Sequence, residues 1–203
     1  MRLPPFFSVE EKQYAPFVAG GIFFGLVLGI PLGITLAIAG AEKSSLDGHW
    51  PALAQAHGHI QLMGWFGLFV LGMGYRLVPR FTSARLRTTW PVPVTFALVA
   101  SGLLLRVISQ PWMDGEPFGA LAVASAMAEL GGALIFATII LRCLTRGRPE
   151  EFGYTPYFAA GVAWLVVAAG LNLAYVADTA GQSVTLPPVR STAITFVLLY
   201  DFV

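Results

Sequence analysis

The chain has 203 residues, 56% of them hydrophobic and only 11% charged, with a mean hydropathy of +0.71. Ordinary soluble domains carry about 25% charged residues, so a water-facing globule is excluded and a polytopic helical membrane protein remains. The formal net charge of +1 excludes nucleic-acid binding through bulk charge.

The predicted elements run as follows. Residues 1–15, with Pro4, Pro5, Glu10, Glu11 and Lys12, read as a short juxtamembrane segment. They lack the apolar stretch and small-residue cleavage site of a signal peptide. A bilayer core of about 30 Å needs roughly 20 apolar residues per helix. Runs of that kind place spans at 16–40, 53–78, 92–109, 119–144 and 156–177, with a sixth starting near 190. Polar and Pro/Gly-rich breaks separate them, and every loop is short. The expectation is therefore an all-α transmembrane helix bundle over 16–203, with five full spans and a truncated sixth. From Arg190 to Val203 there are fourteen residues, which rise about 21 Å as a helix. That is short of a crossing, so the chain is expected to be a fragment of a longer protein.

Orientation follows from the basic residues. Arg2, Lys12, Arg76, Arg80, Arg85, Arg87, Arg142, Arg146 and Arg148 fall on one side, and Lys43, Arg106 and Arg190 on the other. Nine against three in short loops predicts a cytoplasmic amino terminus.

Candidate chemistry concentrates in the second span. All three histidines, His49, His57 and His59, lie within eleven residues, whereas the single cysteine, Cys143, carries no motif. One cysteine leaves no intrachain disulfide and no cysteine-based zinc or iron–sulfur site. Histidine inside a span is costly unless paired, hydrated or bound, so it marks function. Residues two apart on a helix point about 200° apart. His57 and His59 therefore cannot share one metal on a regular helix but can face two different partners. Gly58, Gly64, Gly67, Gly72 and Gly74 permit close helix packing or clear room for a flat macrocycle. Met63, Trp65, Phe66 and Phe69 are candidates to wall a haem.

The stretch His57-Gly58-His59-Ile60-Gln61-Leu62-Met63-Gly64-Trp65, running on to Tyr75-Arg76-Leu77-Val78-Pro79-Arg80, resembles the H-x-H-[E/Q]-x-x-x-G … P helix of the NnrS family. These are bacterial membrane proteins that bind haem and copper and are associated with nitric oxide and nitrosative stress. The resemblance implies the amino-terminal half of such a protein in the bacterial inner membrane. It also implies haem, of b type, and copper as cofactors, with His57 and His59 as ligands. Nitric oxide or another small gas is the implied partner, besides membrane lipid and a missing half or partner chain. Gln61 stands where the family more often has Glu. More distantly, the H-x-H pair resembles that of haem–copper oxidase and nitric oxide reductase catalytic subunits. The adjacent copper-binding histidines of that family are absent here.

Glu129, near the middle of the fourth span, reads as a proton-handling group or histidine partner, or else as an inter-helix hydrogen bond beside Gly131-Gly132. Arg106 is expected to snorkel to the interface or to pair with a haem propionate. His49 beside Trp50 reads as interfacial. Gln55 and Asn172 are candidates for inter-helix hydrogen bonds. Whether the chain is an enzyme stays open at this point. Its alternatives are a metal-free transporter with His57, His59 and Glu129 on a proton path, and a structural subunit.

Overall fold

A computed structural model describes residues 11–46, 48–84, 89–147 and 153–198, with side chains from Gln13 onward. All regular structure among them is helical. Five helices are long and apolar enough to cross a membrane: α1 Gln13–Ala41, α2 Trp50–Phe81, α3 Pro91–Trp112, α4 Phe118–Arg146 and α5 Thr155–Thr179. A shorter α6, Pro188–Phe196, follows. The five predicted spans sit inside these helices. Most of the predicted segment 1–15, the arginines at 2, 85, 87 and 148, and the end of the predicted sixth span at 199–203 lie outside the described residues.

Proline sets several of the starts. It occupies the first turn of α3, α5 and α6, and Pro51 that of α2. There its missing N–H has no intrahelical partner to lose and its fixed φ suits the helix. After α5 the chain reverses at Gly181, whose φ of +77° suits glycine.

Helix α1 has two distinct faces. Ile22, Leu26, Ile30, Ile34 and Ile38 repeat every fourth residue and stand exposed, as a lipid-facing stripe requires. One position earlier in each turn stand Gly21, Gly25, Gly29 and Gly33, pressed against α2. Both helices carry a π-helical stretch where they meet, Phe23–Gly29 and Ile60–Gly67. Between α3 and α4 the approach is equally close. A Cβ at Gly132 would lie 2.6 Å from Val99, and Ser125 donates to the Gly102 carbonyl at 2.8 Å. Small residues let backbones meet where no hydrophobic drive between helices exists.

An aromatic group fills the end of the bundle that carries Arg76 and Arg80. Phe17, Tyr75, Phe96 and Phe136 pack with ring centroids 5.0 to 5.6 Å apart. The Tyr75 hydroxyl meets Thr95 at 2.8 Å. The histidines belong to the other end.

Candidate functional site

His57 and His59 lie on α2 immediately before its π-helical stretch. They diverge, as two-residue spacing demands. His57 packs onto α1, where a Cβ at Gly33 would come within 2.8 Å of its ring. Gln61 and Trp65 continue the same row against Gly29 and Gly25. The spacing by four of Gly21, Gly25, Gly29 and Gly33 is the sequence signal that could have pointed to this ladder. His59 turns to the opposite side and meets Glu129 of α4, Nε2 to Oε2 at 2.8 Å.

The His59–Glu129 pair is enclosed, with side chains 10% and 4% exposed. Glycine makes room for it: a Cβ at Gly102 of α3 would stand 2.7 Å from Glu129 Cγ and 2.9 Å from the Ser125 carbonyl. Glu129 thus brings a carboxylate to His59 from another helix. Gln61 itself points toward α1, with its Oε1 buried and unpartnered.

One turn beyond Gly102 comes Arg106, and here the snorkelling expectation is corrected. Arg106 is 2% exposed, and its Nε and Nη1 have no partner among the described residues. Packed between helices, the side chain has no free run to the interface. Glu129 acts on it electrostatically without bonding to it directly. Asn172 of α5 is also 2% exposed and leaves both amide atoms unpartnered. The expectation that Asn172 links helices therefore fails. Gln55 meets the same expectation fully: it donates to the Leu186 carbonyl at 2.7 Å and accepts from the Leu186 N–H and from Gln110.

Gln55, His59, Arg106 and Asn172 line part of a half-open chamber of about 310 Å³ beside α6, whose wall also includes the apolar Ala54, Leu62, Leu186, Ile194 and Leu198. A buried donor or acceptor left without a partner costs about 1–3 kcal/mol, more if charged. A wall with several such groups suits a polar occupant, whether water or ligand.

Metal and haem chemistry can be tested against this arrangement. Among the described residues, no group of three His, Cys, Asp or Glu side chains comes together to hold a metal ion. Copper drawing on both His57 and His59 does not fit, because the two rings face different helices. For haem the donor set fits better. A ligating histidine commonly gives its second ring N–H to a carboxylate, as His59 can to Glu129, and Arg106 supplies a buried cation. The expected haem wall does not form, however. Trp65, Phe66 and Phe69 are 54%, 39% and 45% exposed on the outer surface, while Met63 is buried. Gly64, Gly72 and Gly74 serve packing, against Phe24, Phe17 and Phe136, and Gly58 alone of the set borders the chamber. His49 stacks near Trp112 at 5.8 Å, away from both other histidines' partners.

The chain matches no protein-family model, no curated protein and no solved structure.

Proposed function

We propose that the chain is an integral membrane haem protein of the NnrS type, acting in nitric oxide handling or nitrosative-stress response. The proposal places it in the bacterial inner membrane with a cytoplasmic amino terminus. Its support is the H-x-H helix together with one observation: His59, held by Glu129, lines the same chamber as the buried Arg106, whose Nε and Nη1 are unpartnered. In this reading His59 is the ligand, oriented by Glu129, and Arg106 is the cation for a propionate. His57, seated on Gly33, serves helix packing unless a second cofactor lies outside the described residues. Bound haem supplies an iron at which a small gas coordinates. At about 310 Å³ the chamber sits at the lower end of the range of about 300–1,000 Å³ for ligand pockets. Copper needs donors beyond the described residues.

The test is an absorption spectrum of the detergent-purified protein, oxidised and reduced, beside His57→Ala and His59→Ala. A Soret band lost in His59→Ala and kept in His57→Ala is the expected result. A colourless protein, with haem supplied during expression, sinks the proposal.

A second reading draws on the same pair. An enclosed imidazole bonded to a buried carboxylate suits a proton-handling element in a transporter. It predicts flux that follows pH, loss of that flux in Glu129→Gln, and no visible absorption.

A further inference from the structure

Arg106 and Asn172 reach the chamber from α3 and α5, and their free donors are the feature neither reading fully uses. A guanidinium does not lose its charge in a protein, and burying it unpaired is among the costliest arrangements in a fold. The neighbouring polar groups are mostly committed elsewhere. Glu129 Oε2 is taken by His59, and Gln55 is taken by Leu186 and Gln110. The Ser191 and Thr195 hydroxyls donate to carbonyls of their own helix region, those of Pro188 and Ser191. Of the residues lining the chamber, Arg106 leaves its Nε and Nη1 donors unpartnered, and Asn172 leaves both its Nδ2 donor and its Oδ1 acceptor so.

Charge narrows the class of occupant. Arg106 is the one lysine or arginine lining the chamber among the described residues, and no Asp or Glu lines it. A multiply charged anion would meet too little positive charge, whereas a monoanion is balanced. Shape narrows it further, since planar guanidinium and amide donors match the in-plane oxygens of a carboxylate. Volume agrees: about 310 Å³ admits a small organic acid, and a Cβ at Gly58 would meet nothing within 4 Å.

We propose that Arg106 and Asn172 form a carboxylate-binding site in the half-open chamber beside α6. The carboxylate has two possible sources, a haem propionate or a free small monocarboxylate. The first rests on the haem reading and the second does not.

Two arms separate them, both on the full chain purified in detergent. In one, sodium propionate is titrated into haem-free protein and followed by saturation-transfer NMR. In the other, haem and haem dimethyl ester, whose propionates are blocked, are compared by Soret titration. Saturable propionate binding, or haem bound better than its ester, is the expected result. Arg106→Gln then weakens the preferred ligand about ten- to a hundredfold, as loss of a charge-assisted bond implies, and Asn172→Ala about two- to tenfold. If Arg106→Gln does not fold, Gly58→Leu decides, because it fills the chamber from a position with no neighbour to displace.

Free propionate binding by a colourless protein retires the haem reading and keeps this site. A haem protein that accepts the ester equally, ignores propionate and is unchanged by Gly58→Leu overturns the site and keeps the haem. Indifference to every ligand in folded protein overturns both and leaves a water-filled chamber.

Discussion

Nε2 of His59 lies 2.8 Å from Oε2 of Glu129, joining two residues seventy positions apart on α2 and α4. The contact exists because Gly102 leaves α3 without a side chain where Glu129 passes. It gives the histidine helix a carboxylate partner that its own sequence lacks. It also leaves Arg106, one turn further along α3, without a bonded counter-ion.

Removing that carboxylate should be costly. Glu129→Ala strands a buried ring nitrogen, and the expected loss is about 1–3 kcal/mol, above the mean of about 0.6 kcal/mol for membrane inter-helix bonds. Glu129→Gln keeps an acceptor and should lose less than about 1 kcal/mol. Thermal unfolding in detergent reads both, and equal losses would mean the bond adds nothing.

Glycines at close approaches should differ sharply from open ones. Gly102→Ala places a methyl against a backbone carbonyl and Glu129, with an expected cost of about 1–3 kcal/mol from overpacking. Gly40→Ala meets nothing within 4 Å and should stabilise by about 0.5–1 kcal/mol through helix propensity. The same melts compare them, and a shift of the same sign in both contradicts the packing described.

The Tyr75–Thr95 bond predicts an asymmetry. Thr95 also donates to the Pro91 carbonyl at 3.0 Å, so Tyr75→Phe strands no group and should cost about 0.6 kcal/mol. Thr95→Val leaves the buried phenol without its partner and should cost about 1–3 kcal/mol. A reversed order in chemical or thermal unfolding refutes the assignment.

Gln55 pins the segment between α5 and α6 to the bundle through Leu186. Gln55→Leu should speed hydrogen exchange at the Leu186 amide about fivefold or more, the worth of one bond near 1 kcal/mol. Unchanged exchange there would show that the segment is held by other contacts.

The proposed orientation is checked with cysteines in a Cys143→Ser background. Ser44 and Ser83 are exposed at opposite ends of the bundle. A membrane-impermeant maleimide should label Ser44→Cys in intact cells and Ser83→Cys only after permeabilisation. The opposite pattern inverts the topology read from the arginines.

Much of this was legible in advance for identifiable reasons. A bilayer imposes length and apolarity on each crossing, so the five spans could be read to within a few residues. Helical geometry alone required His57 and His59 to diverge, and they do. Glu129 was legible as a candidate histidine partner, but which histidine it meets, and that His57 seats on Gly33, was not, because nothing local in α2 points to either. Met63, Trp65, Phe66 and Phe69 looked alike as wall candidates. Only packing sorted them, leaving three partly exposed and one buried.

By itself, then, the amino-acid sequence determined the all-helical class and the positions of five helices apolar enough to cross a membrane. These depend on the solvent and on the helical period, both local properties. The tertiary structure alone decided that Glu129 bonds His59, that Arg106 is enclosed instead of reaching outward, and that Asn172 stays unpaired beside them. Those outcomes depend on where helices touch. Contact is set by which small residues allow close approach, so one chain position cannot reveal it without its neighbours across the bundle.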